Sequence, residues 1–394
     1  MRIENGKDKA MSIETNQKKH RLPERFGKAV EYLKSNRAFS YTLLLLIVAL
    51  FFLGVGIFHD VRNVLMEGAV QDGDAFKIEF HDKNLEREVR KLLEKPSGDI
   101  FNTDVETISV MTLQNVPVED IEDLKYFTGL SQLTISSAKI TDVSALSGME
   151  RLRVLDLSNN TISDVRPLAK IQTLQELTVS GNYITDMTPI YSLKNLIELD
   201  LSNNSITDVT PDIAKLANLK TLNLSRNRIR DNSVFSGMKQ LNILNLTSNK
   251  LTTASPLSGM DSLYEYSLEG NALTKITDLG GLPALEKLSV ASNCLTDVSF
   301  AARYPWMIEL SISLNNISSL EPLRKNTSLE CLKMQYTKIE DVSVLKALPE
   351  FNAIYVDAPF DRSKLDFMKG HFRNGDLLTK KYILGSKYGF PEKG

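Results

Sequence analysis

The stretches LRVLDLSNNTISDV (152–165) and LIELDLSNNSITDV (196–209) are two copies of one pattern, L-x-x-L-x-L-x-x-N-x-I-x-D-V, continued by x-P-L-x-x-L. Its reference position, the second apolar residue of the central L-x-L, recurs at Leu113, Ile135, Leu157, Val179, Leu201, Leu224, Leu246, Leu268, Val290, Ile312, Met334 and Val356. Every interval is 22 residues except the 23 between Leu201 and Leu224. A fixed period of this length marks a solenoid with one coil per repeat. Alternation in L-x-L gives a short strand with one face inward, and the apolar residue after the asparagine returns the chain to the core. One coil cannot bury that side alone, so stacked neighbours complete a continuous core. The 394 residues therefore need not be divided among several globular domains.

Asparagine holds one column in eight successive coils: Asn160, Asn182, Asn204, Asn227, Asn249, Asn271, Asn293 and Asn315. A polar side chain turned inward costs a few kcal/mol unless paired, and an amide carries both donors and acceptors. The column reads as a structural ladder bonding the backbone of its own and adjacent coils. Aspartate follows at Asp142, Asp164, Asp186, Asp208, Asp231, Asp297 and Asp341, often with Val and then Pro behind it. Asp suits an N-cap and Pro a first helical turn, so a short helical or 3₁₀ segment is expected on the convex side. The extra residue in DVTPDIAKLANL (208–219) is expected to lengthen one such helix.

Both ends need covers. In FKIEFHDKNLEREVRKLLEKPSGDIFNTDVETI (76–108), Asp82 can N-cap a helix whose Leu85, Val89, Leu92 and Leu93 form one stripe, ended by Pro96 and Gly98. At the far end DAPFDRSKLDFMKGHF (357–372) breaks the pattern and offers a short helix with Leu365 and Met368.

The period with N-x-I-x-D-V-x-P-L resembles the internalin family of Gram-positive bacterial leucine-rich repeats, and more broadly the phosphatase-regulator type of short repeat. Residues 76–108 resemble the helical cap of internalin-like proteins, so cap and repeats together cover about 76–357. The resemblance implies an α/β solenoid, a leucine-rich-repeat horseshoe with parallel strands on its concave face, about 12 coils and two caps. It also implies a bacterial cell-surface protein that binds another macromolecule, often a protein. No sorting-signal motif or long wall-binding region is visible, and an N-terminal span is unusual for secreted internalins. The mode of attachment is therefore read from this chain alone.

Net charge is −2, but residues 1–40 carry ten Lys/Arg against five Asp/Glu, leaving −7 for the remainder. That basic excess precedes YTLLLLIVALFFLGVGIF (41–58), close to the ~20 apolar residues a transmembrane helix needs. Five basic residues lie in 21–40 and two in 59–78, which places the N-terminus in the cytoplasm and the repeats outside. Cleavage as a signal peptide is the competing reading, against a long n-region and no A-x-A-like site. RLPERFGKAVEYLKSNR (21–37) reads as an amphipathic basic helix at the lipid surface or as a solvated tail. The expected order is a basic cytoplasmic segment (1–40), a transmembrane signal anchor (41–58), a linker (59–75), the N-terminal cap (76–108), the solenoid (109–357) and the C-terminal cap and tail (358–394).

Catalytic chemistry finds no foothold. The four histidines lie outside the repeats, and H-E-x-x-H, C-x-x-C, P-loop and dinucleotide fingerprints are absent. No enzyme activity, cofactor, metal or nucleic-acid partner is expected. Cys294 and Cys331 sit two coils apart, roughly 10 Å at strand spacing and on different parts of the coil, so no disulfide is expected. Binding is left to strand residues that face outward and break the repeat. Asp156, Glu176, Glu198 and Asp200 gather in one region, with Glu176 and Glu198 in one column and Arg226, Arg228 and Lys250 beyond them. Such carboxylates suit a basic docking partner or Ca²⁺, and an open sheet without a pocket disfavours acid and base catalysis. Toward the C-terminus Leu314 and Tyr336 share a column, with Lys333 and Tyr355 beside them. These side chains suit a binding hot spot, and burial of the tyrosines under the C-terminal cap is the alternative. The expected function is an extracytoplasmic recognition module that binds a protein. A cell-wall or glycan ligand and a scaffold within a membrane complex are the rivals.

Overall fold

Each repeat contributes one strand to a single parallel sheet in sequence order, β1 to β12. The computed structural model describes residues 75–357 and 360–368. The strands are β1 (Val110–Gln114), β2 (Gln132–Ser136), β3 (Val154–Asp156), β4 (Glu176–Thr178), β5 (Glu198–Asp200), β6 (Thr221–Asn223), β7 (Ile243–Asn245), β8 (Glu265–Ser267), β9 (Lys287–Ser289), β10 (Glu309–Ser311), β11 (Cys331–Lys333) and β12 (Ala353–Tyr355). Register follows the repeat, as in Leu177 opposite Leu199 and Leu199 opposite Leu222. The central residue of each strand and the reference residue behind it point inward. Leu155, Leu177 and Leu199 are almost fully buried, and so are Leu157, Val179 and Leu201.

All eight asparagines form the expected ladder. Asn227 shows the pattern: its Nδ2 donates to the carbonyls of Leu201, Leu224 and Ser225 at 3.0, 3.1 and 3.2 Å, and its Oδ1 accepts from the Ile206 N–H at 3.0 Å. One side chain thus closes the turn of its own coil and pins it to the coil before.

Across the core from the strands, 3₁₀ helices stack at Glu122–Tyr126, Ser144–Gly148, Leu168–Lys170, Thr188–Ser192, Pro211–Lys215 and Ser233–Phe235. They resume at Ser299–Arg303, Glu321–Lys325 and Ser343–Ala347. The aspartates act one position before the N-cap, or three in the case of Asp164: Asp142, Asp164, Asp186, Asp231, Asp297 and Asp341 each accept from the N–H two residues on. They make Asx turns that launch the helix. The inserted residue does not lengthen a helix, because Pro211–Lys215 has five residues like its neighbour Thr188–Ser192. It is absorbed in the approach, where Thr210 is extended (φ −101°, ψ 157°) and donates its N–H to Tyr191 Oη at 3.3 Å.

The two coils around 252–263 and 274–285 have no 3₁₀ helix. A parallel bridge between Leu257 and Gly280 replaces it, with the Leu257 N–H donating to Leu279 O at 2.8 Å. Gly280 has φ +97°, and a Cβ there would stand 1.8 Å from Leu257 O, so only glycine fits. Buried polar groups replace the lost helical bonds. Tyr304 Oη accepts from the Leu279 N–H at 3.0 Å, and Asn232 exchanges bonds with the Ser255 backbone while donating to Tyr266 Oη. Burial drives the Tyr266 phenol far above its ordinary range and pushes Tyr304 up to about 12.

At the N-terminal end α1 (Lys83–Leu92) covers the first coil with Leu85 and Val89 fully buried. Leu92, assigned above to the same stripe, is 48 % exposed: it closes the helix on the outer side. Asp82 caps α1 through the Asn84 and Leu85 N–H groups and also accepts from Glu119 N–H at 2.9 Å, tying cap to coil. A short helix α2 (Asn102–Val105) follows. At the other end the 3₁₀ helix Arg362–Met368 buries Leu365 and Met368, as expected. Among the described residues no helix is long and apolar enough to cross a membrane. The expected span 41–58 lies outside them.

Candidate functional site

A column of outward positions ends each strand, two residues after the reference. Asn115, Ser137, Asn159, Gly181, Asn203, Arg226, Ser248, Gly270, Ser292, Leu314 and Tyr336 occupy it, all with φ between 52° and 66°. The coil needs a left-handed residue here because the chain leaves the strand and turns under the ladder asparagine. Glycine adopts this conformation without strain and asparagine comes next, whereas a branched or bulky side chain costs about 1–2 kcal/mol. Most of the column is Asn, Ser or Gly. Arg226, Leu314 and Tyr336 are the departures.

Burial offsets only part of that cost. Leu314 is 51 % and Tyr336 65 % exposed, and they stand in successive coils, where the Leu314 N–H donates to Gln335 O. Just before them in sequence Ser313 donates to Gln335 Oε1 at 2.7 Å, which ties the two coils together at this point. Tyr336 is therefore not covered, while Tyr355 is half-buried. Lys333 is engaged twice: its ammonium contacts Glu309 at 2.5 Å and lies 5.7 Å over the Tyr355 ring. Desolvation pulls its pKa down, but the Glu309 carboxylate outweighs that and holds it above the ordinary lysine value. Lys333 thus braces Tyr355 and Glu309 instead of presenting a free charge. Next to it the Cys331 thiol, pushed up to about 11 by burial, stays protonated.

The acidic group is less uniform than its sequence suggests. Glu176 and Glu198 are directly opposite in β4 and β5, with Glu176 exposed and Glu198 half-buried. Asp156 lies opposite Thr178, which lies opposite Asp200, so the two aspartates are two strands apart. Each holds its own turn: Asp156 accepts from Ser158 N–H and Asp200 from Ser202 N–H, both at 2.8 Å. Asp200 is only 9 % exposed and accepts from Asn223 Nδ2 at 3.2 Å; desolvation raises its pKa. It is a structural acceptor, out of a partner's reach. Asn223 and Asn245 repeat the Asp200 turn in the next coils, which shows the column's role. Arg226, Arg228 and Lys250 are exposed on adjacent coils. Among the described residues no group of three or more His, Cys, Asp or Glu is placed to hold a metal ion. Both cysteines are free, Cys294 exposed and Cys331 half-buried.

Two features escaped sequence reading. His81 Nδ1 bonds Asp123 Oδ1 at 2.9 Å, and the His81 N–H donates to Asp123 Oδ2 at 2.7 Å, clasping the cap to the first coil. A notch around Trp306 lies by the turn before β10, outside the strand columns.

The repeats and their ladder build a leucine-rich-repeat fold over the described residues. A leucine-rich-repeat family model matches residues 172–229, and a two-copy model matches 150–192 and 217–259. Its fold is internalin-like. An internalin of Listeria monocytogenes superposes with a TM-score of 0.61 at 22 % identity, covering 75 % of this chain and 96 % of that one. The functional domain of InlJ from Listeria monocytogenes, which includes a cysteine ladder, gives 0.56 at 22 % identity, with 74 % of each chain covered. TLR13 in complex with a single-stranded RNA also gives 0.56, at 18 % identity over 71 % of this chain and 43 % of that one. No curated protein matches the chain in sequence.

Proposed function

We propose that this protein is a recognition module that binds a protein partner through its strand face, with Leu314 and Tyr336 at the centre of the contact. One observation carries the reading: two bulky apolar side chains stand exposed at left-handed positions that the rest of the column gives to Asn, Ser, Gly and one Arg. Among the described residues burial offsets only part of that strain, and strain held at a surface is characteristic of binding sites. An aliphatic and an aromatic group in adjacent coils, rimmed by the Lys333 and Glu309 pair, have the make-up of an interface centre. Exposed Glu176 with Glu198, and Arg226 with Arg228 and Lys250, form acidic and basic flanks that orient the partner. Attachment to the cell membrane through 41–58, with the repeats outside, belongs to the same proposal and rests on the apolar run and charge asymmetry.

The test separates binding from folding. Asparagine fits the left-handed conformation, so Leu314→Asn with Tyr336→Asn relieves strain while losing some half-buried apolar surface. These terms are each about 1 kcal/mol and oppose one another, so stability should stay within about 1 kcal/mol of the parent. Capture of partners from a cell-surface fraction should fall at least tenfold. Undiminished capture, or a variant destabilised by more than about 2 kcal/mol, would reject the pair as a binding centre.

A further inference from the structure

The chain's one tryptophan stands apart from the strand face. Trp306 lies on the turn between the 3₁₀ helix Ser299–Arg303 and β10, at a position that adjacent coils give to Ala284 and Ser328. It is 40 % exposed and is set edge-on against Tyr304, with ring centroids 6.1 Å apart. With Pro283, Gly280, Asp278 and Arg303 it lines a shallow cavity of about 260 Å³ beside the two coils that lack a 3₁₀ helix.

The walls of this notch differ in chemistry. Indole and pyrrolidine rings make one side apolar. Among the same lining residues Arg303 Nη1 donates to Asp278 Oδ2 at 2.7 Å, and the arginine side chain remains 62 % exposed. The carboxylate is fixed from behind, since Asp278 Oδ1 accepts from the Gly280 N–H at 3.0 Å and from Tyr304 Oη at 3.1 Å. Hydrogen bonding from Gly280 leads the causes that hold its pKa below the usual carboxylate range, so it stays an acceptor. The notch therefore offers an exposed indole beside a preset acceptor and a guanidinium with donors to spare, their charges cancelling.

Those features select a ligand class. An anion would meet Asp278 and a cation Arg303, while a wholly apolar group would desolvate the pair without replacing its water contacts. A neutral polyhydroxylated ring satisfies all three: its C–H face covers the indole, one hydroxyl donates to the carboxylate, and a neighbouring oxygen accepts from the guanidinium. The cavity is slightly below the roughly 300–1,000 Å³ of sites for drug-sized ligands and cofactors, so it holds one ring. We propose that this notch is a subsite for a single neutral hexopyranose unit of a glycan, separate from the protein-binding pair on the strand face.

Because Trp306 is the sole tryptophan, its fluorescence in the full chain reports this notch alone. Titration with glucose, galactose and N-acetylglucosamine, each separately, should give a saturable change with at least one of them, with Kd in the millimolar range. Arg303→Ala should weaken that response at least tenfold, and the Leu314→Asn, Tyr336→Asn variant should retain it. Calorimetry on Trp306→Ala, which has no indole emission to follow, should show the binding heat abolished; heat equal to the parent's would overturn the proposal. So would no saturable response to any of the three sugars, a sugar response unchanged by Arg303→Ala, or a response to a pentaproline peptide with none to sugar.

Discussion

Asn227 shows how little freedom a repeat residue has. Its three donated bonds and one accepted bond satisfy the backbone of two coils, and the residue is 4 % exposed. Asn227→Ala would leave the Ile206 N–H and the Leu201 carbonyl buried without that partner. We expect a loss of about 2–4 kcal/mol, read from urea unfolding, since each buried unpaired group costs about 1–3 kcal/mol. A loss below about 1 kcal/mol would mean that the ladder is dispensable. This role was legible in the sequence because the amide recurs at a fixed period. The meaning of Leu314 and Tyr336 was only half legible: the column shows them as exceptions, but not that the column is left-handed. Asp200 misled for a related reason. Beside Glu198 it looks like part of a charged patch, whereas its carboxylate is turned back onto Ser202 and Asn223.

Caps and irregular coils are held by contacts between residues far apart in sequence, which a repeat pattern does not record. The clasp of α1 on the first coil depends on His81 and on Asp123, which is only 1 % exposed. The hydrogen bond to Asp123 raises the His81 pKa above its usual 6.5. A raised histidine pKa means that the clasp's contribution is complete below about pH 6.5 and is lost as pH rises through the folded value. Protection of α1 amides from hydrogen exchange should therefore decline from mildly acidic to mildly alkaline pH, and His81→Ala should flatten that dependence. Equal pH dependence in the variant would show that another group governs the cap. Thr253-Ala254 stands where the repeat has Asp-Val in an irregular coil, but Ser319-Leu320 departs likewise and still leads into the 3₁₀ helix Glu321–Lys325, so that departure alone does not mark the coil. The Leu257 to Gly280 bridge and the tyrosine bonds that replace the helices could not be read from one chain.

For the whole molecule, the repeat period specified the number of strands, their direction and the two covers, because nearest-neighbour packing is the only long-range information a solenoid needs. Membrane topology has no such redundancy and rests on one apolar run and its flanking charges. It can be tested through the free cysteines, since Cys294 is exposed whereas Cys331 is half-buried with its thiol protonated. A membrane-impermeant maleimide should label Cys294 on intact cells, and Cys294→Ser should abolish the signal. Labelling that requires lysis would place the repeats on the inner side and reject the proposed topology.

Recognition of a protein through Leu314 and Tyr336 is the proposal on which the function rests. Its most direct test is site-specific photo-crosslinking in the cells that make the protein, with a photoreactive phenylalanine at position 336 and a control at Tyr183, exposed on a coil near the other end. We expect one discrete protein adduct from position 336, absent from 183 and lost when Leu314→Asn is added. No adduct at 336, or the same adducts from both positions, would contradict it.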